Sequence, residues 1–209
     1  MVGPSSSHTA GAARLGLIAR ALLGTEPVQA EILLHGSFAK TYRGHGTDKA
    51  IAAGILGFQP DDMRLRDSLS LARERGLAVE FGTVELDGAH PNTAVITLTD
   101  AAGRTVRVQG ASVGGGNILV TEVNGLAVEI SGQYTTLIVQ HRDAPGTIAA
   151  VTEEMSHRGV NICNFRLARK QKGGDAVMTI EMDGMPDASL NDCVSQLPNV
   201  LSSTMLEPI

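Results

Sequence analysis

Aromatic residues make up only 3% of this 209-residue chain, and tryptophan is absent. The core must therefore be built from aliphatic side chains. Cysteine is nearly missing too: Cys163 and Cys193 alone form neither a disulfide framework nor a metal cage. Positive charge is short, with 17 Lys and Arg against 22 Asp and Glu for a net charge of −5. That balance gives no electrostatic case for nucleic acid or an anionic membrane surface. No apolar run reaches the roughly 18 residues a membrane span needs, and no charged segment precedes an apolar one as in a secretory signal. A soluble cytoplasmic protein is expected. What remains is 43% hydrophobic and 19% charged residues, the composition of a well-buried globular fold in one large or two small domains.

Leu15, Ile18 and Leu22 recur at helical spacing through "AGAARLGLIARALLG", and Gly24 is the stop. "PVQAEILLHGSF" alternates as a strand that ends at His35-Gly36. Thr47 and Asp48 are expected to cap a helix carrying Ile51, Ile55 and Phe58. Asp61 and Asp62 should start another that closes at Gly76. Strands follow in "GLAVEFGTVEL", "NTAVITLTD" and "RTVRVQG". The glycine-rich "GASVGGGN" lacks a phosphate-loop pattern and reads as a bulged strand connection with close backbone approach.

The pattern changes near residue 132, and "EISGQYT" reads as the linker. Residues 135–209 follow a βαββαβ order, the split-βαβ or ferredoxin-like unit. Its first helix begins at Asp143-Ala144-Pro145-Gly146, buries Ile148, Val151 and Met155, and stops at Gly159. Lys172-Gly173-Gly174-Asp175 signals a hairpin, Cys163 reads as a small core residue, and "RLARKQK" as a solvated hairpin end. "RDAPGTI" and "RGVNI" give this half a resemblance to the ACT domain, a regulatory module attached to amino-acid enzymes. A regulatory ligand would then meet Asp143, Pro145 and Gly146 at the strand-to-helix turn, with Asn161 on its amino group. The other reading is a module that only pairs with a second copy.

The chain opens "MVGPSSSHTAG". A helix N-terminus leaves unpaired N–H groups, and one hydroxyl would cap it. Ser5, Ser6, Ser7 and Thr9 exceed that need, so they read either as an over-polar cap or as an anion pocket with His8 beside it. "HGSFAKTYRGHGTDKA" places His35, Lys40, Tyr42, Arg43, His45 and Thr47 among glycines, and "HPNTA" adds His90 and Asn92 before a strand. Histidine is the usual proton-transfer group near neutrality. No serine-hydrolase elbow accompanies these groups, and the histidine spacings match no helical metal motif.

Taken together, "GPSSSHTAGAARLG", "HGSFAKTYRGHGTDKA", "HPNTA", "SVGGGNI" and the terminal ACT-like module resemble the beta chains of iron–sulfur L-serine dehydratases, in that family's order and over essentially the whole chain. The resemblance implies an α+β chain. An allosteric-substrate-binding-like α/β domain over 1–130 would precede a ferredoxin-like ACT domain over 135–209. It implies an L-serine ammonia-lyase whose [4Fe–4S] cluster sits on a partner alpha chain and is not ligated here. His45, His90 and His8 would handle protons, in that order of expectation. Ser5, Ser6, Ser7, Thr9 and Asn92 would hold the substrate, L-serine, while His35 would be structural. A homodimer through the ACT domain is a further implied partner. Family members carry a strand-like segment ahead of "GPSSSHT", whereas Met1 stands two residues before it here, so a first domain short of one sheet-edge strand is expected. Only four lysines are present, and Lys40 or Lys49 could form a Schiff base with pyridoxal phosphate, but no phosphate cup is recognisable beside them. The competing reading is a stand-alone amino-acid or anion sensor without catalysis.

Overall fold

The computed structural model describes residues 7–208, with the Ser7 side chain left outside that description. Ser5 and Ser6, expected to hold substrate, lie outside the described residues. The fold is mixed α+β with two sheets, and the chain divides into two compact units, residues 1–125 and 126–209. No helix among the described residues is long and apolar enough to cross a membrane.

Among the described residues, the first unit starts with a single π-helical turn, Ser7–Gly11, that runs straight into α1 (Ala12–Leu23). Ala12, Leu15, Ile18, Ala19 and Leu22 bury one face of α1, and Gly24 ends it in the left-handed region with its N–H on Arg20 O. β1 (Pro27–Leu34) buries Ala30, Ile32 and Leu34 on alternate positions. Two helices follow, α2 (Gly36–His45) and α3 (Thr47–Ile55).

The sequence pattern misses α2, because Phe38 is the only buried residue among its ten. The expected capping of α3 is also corrected. Gly46, in the left-handed region at φ 73°, occupies the cap position, and neither Thr47 nor Asp48 caps. The Asp48 carboxylate accepts a bond from the neighbouring Lys49 N–H instead. A 3₁₀ turn, Met63–Asp67, is opened by the Asp62 carboxylate, which accepts from Arg64 N. It leads into α4 (Ser68–Glu74).

Strands β2 (Ala78–Thr83), β3 (Thr93–Asp100), β4 (Thr105–Gly114) and β5 (Asn117–Val123) complete the unit. Within it the strands lie in the order β2-β1-β3-β4-β5. Only the β1–β2 pair is parallel. The β4–β5 ladder slips between Ser112 and Gly114, and Gly114, Gly115 and Gly116 all take positive φ (109°, 61° and 85°). This is the bulged connection expected from "GASVGGGN".

Helix α1 lies against α3 at backbone distance. A Cβ placed on Gly16 would collide with the Ile51 carbonyl, and one on Gly54 with the Ala13 carbonyl. Only glycine allows this approach.

The second unit opens with β6 (Leu126–Ile130), then β7 (Thr135–Arg142), α5 (Thr147–His157), β8 (Ile162–Arg169), β9 (Asp175–Met182), α6 (Ser189–Ser195) and β10 (Val200–Leu206). From β7 onward the order is βαββαβ, and the sheet runs β10-β7-β9-β8 with every neighbour antiparallel. Leu137, Val139, Met178 and Ile180 meet Val151 and Met155 of α5 and Leu190 and Val194 of α6 in one core. Ile148, expected in this core, is exposed on α5. Cys163 is exposed as well, because the β8–β9 register slips between Ile162 and Asn164 and leaves Cys163 as the extra, outward residue.

Gly54→Ala should lower stability by about 1–3 kcal/mol through overpacking at the α1–α3 contact, read as an earlier midpoint in urea unfolding. A variant as stable as the parent would show that the helices can part at no cost.

Candidate functional site

The π-helical turn sits where three parts of the first unit meet: the end of α2, the start of α3, and the β4–β5 hairpin. His8 projects from that turn. Its ring lies edge-on to His45, the last residue of α2, with centroids 4.7 Å apart and planes at 81°. Phe38 holds the His8 ring from another direction at 5.4 Å. Both ring nitrogens of His8 and Nδ1 of His45 are shielded from solvent and have no hydrogen-bond partner among the described residues. Burial lowers the His8 pKa from its ordinary value, and the nearby His45 lowers it further. His8 is therefore a neutral base near pH 7.

Further polar atoms around the turn are left open. Thr47 and Ser112 are fully buried, and neither hydroxyl has a partner among the described residues. Gly11 packs directly on Ser112, where a Cβ would collide with its side chain. Thr9 is half-buried in the same turn. Arg14, on the first turn of α1, donates from Nη1 to Gly116 O at 2.6 Å, while its Nε is shielded and without a partner among the described residues.

The "HPNT" loop reaches this place through its backbone. Ser112 N–H donates to Asn92 O at 3.0 Å, and Pro91 O accepts from Ser37 N at 2.7 Å and from Phe38 N at 3.3 Å. The loop thus closes the N-terminus of α2 with a carbonyl, and Gly36, at φ 56°, leaves room for Pro91. His90 is exposed; its Nδ1 accepts from Asn92 N at 3.1 Å, and Thr93 Oγ1 donates to its carbonyl at 2.7 Å. The expected site residues therefore separate. His8 and His45 touch, Asn92 is one hydrogen bond from Ser112, and His90 faces solvent on a tied turn. His35 accepts from Leu86 N at 3.2 Å and braces the segment after β2, a structural role.

Sequence reasoning missed Arg14 and Ser112. Arg14 reads as the polar face of an amphipathic helix, and its partner is 102 residues away. Nothing local marks either residue.

In the second unit, Asp143 and Asn161, expected around a regulatory ligand, are each engaged with other residues of the unit. The Asp143 carboxylate accepts from Gly173 N at 2.9 Å and from Arg169 Nη1 at 2.5 Å. The Gly173 bond and then the Arg169 bond hold its pKa below the usual carboxylate value. Pro145 is exposed, and Gly146 starts α5 at φ 87°. Asn161 donates to Asp183 Oδ2 at 2.6 Å. It precedes Ile162, which pairs with Met182, whereas Asp143 follows Arg142, which pairs with Asp175 at the opposite end of β9. About 23 Å of strand separates the two ends. One copy of the chain does not bring Asn161 to the turn at 143–146.

The His8 environment is open to measurement. In an NMR titration of the intact protein, His8 should protonate at lower pH than a free imidazole, and His45→Ala should move it back toward the ordinary value. Because the folded pKa is the lower one, the unfolded chain binds the proton first. The neutral His8 thus contributes stability fully above about pH 6.5, and that contribution is lost as pH falls toward its folded pKa. A His8 that titrates at or above the ordinary imidazole value would contradict the burial described above.

Residues 1–77 match the family model described as serine dehydratase beta chain. The probable L-serine dehydratase beta chain of Bacillus subtilis (strain 168) is 43% identical over 206 residues, covering 99% of this chain and 93% of that one. The L-serine dehydratase beta chain of Peptoniphilus asaccharolyticus is 38% identical over 195 residues, 93% of this chain and 88% of that one. A D-3-phosphoglycerate dehydrogenase of B. subtilis aligns at 23% identity over 87% of this chain but only 35% of its own length. With the histidine-centred site in place and relatives matched almost end to end, the chain belongs to the L-serine dehydratase beta chain family.

Proposed function

We propose that this chain is the beta subunit of an L-serine dehydratase, which converts L-serine to pyruvate and ammonia together with an alpha chain. The contact between the His8 and His45 rings, two imidazoles with open nitrogens in one shielded place, carries the reading. The reaction removes a proton from Cα and expels the β-hydroxyl. Burial and the neighbouring ring both oppose protonation of His8, so charge on both rings at once is disfavoured. The arrangement thus suits a single proton taken from Cα, with His45 as the acceptor and His8 staying neutral beside it. The same proton leaves with the hydroxyl as water. The resulting aminoacrylate tautomerises and hydrolyses to pyruvate and ammonia without further catalysis. We assign Thr9, Asn92 and Ser5, Ser6 and Ser7 of the same motif to holding the substrate, and the exposed His90 to the face toward the alpha chain.

A [4Fe–4S] cluster needs four ligands, usually thiolates. This chain does not fit one. It has two cysteines, one at the outward bulge of β8 and one on α6 whose Sγ accepts from Arg158 Nη2 at 3.0 Å. No group of three His, Cys, Asp or Glu among the described residues could hold a metal ion. We assign the cluster, and with it the Lewis acid, to the alpha chain in the cytoplasm. The first domain, 1–130, is read as the allosteric-substrate-binding-like domain of this family. The second, 135–209, is read as an ACT domain, supported by its βαββαβ order and β10-β7-β9-β8 sheet. Asp143, Pro145, Gly146 and Asn161 would then meet a regulatory ligand across a pair of such domains, which the distance between Asn161 and the turn requires.

Anaerobic co-purification with the alpha chain, followed by a pyruvate assay and iron determination, tests the proposal. Pyruvate should form from L-serine only when both chains are present. His45→Ala should cut turnover at least about a hundredfold while the two chains still co-purify. Wild-type turnover by that variant would remove His45 from the reaction, and lyase activity of the beta chain alone would overturn the division of labour.

A further inference from the structure

Arg14 is a guanidinium on the first turn of α1, against the β4–β5 hairpin that packs on the π-helical turn, with no carboxylate paired to it among the described residues. The group stays charged at every working pH, and a half-buried charge is costly unless something balances it. The groups at Gly116 with it, Ala10 and the hairpin backbone, carry no negative charge. The one bond it does make is orienting. Nη1 is fixed on the carbonyl of Gly116, a residue at φ 85° that presents this oxygen toward α1. With Nη1 so occupied, the Nε–Nη2 edge is the side left for a ligand, and Nε is the shielded atom that lacks a partner. That edge is the fork that takes a carboxylate through two parallel N–H bonds.

We propose that Arg14 binds the α-carboxylate of the substrate and so sets the preference for a free amino acid, an inference that rests on the dehydratase reading above. The π-helical turn supports it geometrically. Ala10 and Arg14, four residues apart, both face Gly116, while His8 two residues earlier faces His45. Carboxylate recognition and proton handling are thus carried on one continuous stretch of helix. Arg14 acts by positioning; the imidazoles act on the Cα proton.

The test uses the complete two-chain enzyme, prepared anaerobically, with L-serine and its uncharged analogue L-serinamide. Arg14→Gln should raise KM for L-serine about ten- to hundredfold with a much smaller fall in kcat. Its kcat/KM for L-serinamide should match that of the parent. Arg14→Lys, which keeps the charge but loses the fork, should fall between the two. Competitive inhibition by 3-hydroxypropionate should weaken in Arg14→Gln by the same factor as KM. An unchanged KM, or equal losses on L-serine and L-serinamide, would reduce Arg14 to a brace for the β4–β5 hairpin and overturn the assignment. If Arg14→Gln does not assemble, Arg14→Lys decides alone by the same comparison. A parent complex that releases no pyruvate overturns the dehydratase reading and this inference with it, whereas an active parent with an indifferent Arg14→Gln overturns only the inference.

Discussion

The site depends on the backbone contact between α1 and α3 at Gly16 and Gly54. Each glycine faces a carbonyl of the other helix, so the spacing is fixed by main chain and not by adaptable side chains. Both helices begin at the site. The turn bearing His8 continues into α1, and His45 stands two residues before the start of α3. At the far end Arg20 of α1 donates to Ile55 O of α3 at 2.9 Å and pairs with Glu26, which holds the other extremity of the contact. A change in the helix spacing is therefore a change in the distance between the two imidazoles. Packing and proton chemistry share one constraint.

Around that contact the chain keeps several polar atoms unpaired in its interior. A buried hydroxyl without a partner costs about 1–3 kcal/mol, and Thr47 and Ser112 are both fully buried in that condition. Alanine or valine at either place would satisfy packing alone. Retaining hydroxyls there, next to an imidazole whose burial already opposes its protonation, is intelligible if the open atoms meet a polar ligand.

Much of this was readable from the amino acids. The βαββαβ order followed from period-2 and helical spacing, and the glycine run announced the bulged hairpin that carries Gly116. His8 and His45 stood out because histidines crowd between glycines, and the fold brings their two rings together. What escaped had specific causes. Helix α2 buries one residue in ten, so it lacks the apolar stripe that marks a helix. Gly46 takes the cap position that the side chains of Thr47 and Asp48 suit, since the chain reverses between two helices and needs positive φ. Cys163 and Ile148 were placed inside by their chemistry, but a register slip and a helix face turned them out. Arg14 and Ser112 acquire meaning only when a hairpin about a hundred residues away closes on the opening turn.

The chemistry of the assembled groups also bears on the proposal that an alpha chain supplies the Lewis acid. Imidazoles, hydroxyls and one guanidinium can accept a proton, donate hydrogen bonds and neutralise a carboxylate. None of them withdraws an electron pair from a β-hydroxyl with the strength of a metal ion. Adding acidic ligands to the same place would supply a metal but would also pair with Arg14 and raise the pKa of His8, removing the anion site and the neutral base together. The two demands conflict within one small pocket. Under the division of labour proposed above, a neutral His8 and an unpaired Arg14 would persist on this side while the electron-pair acceptor would sit on the alpha chain.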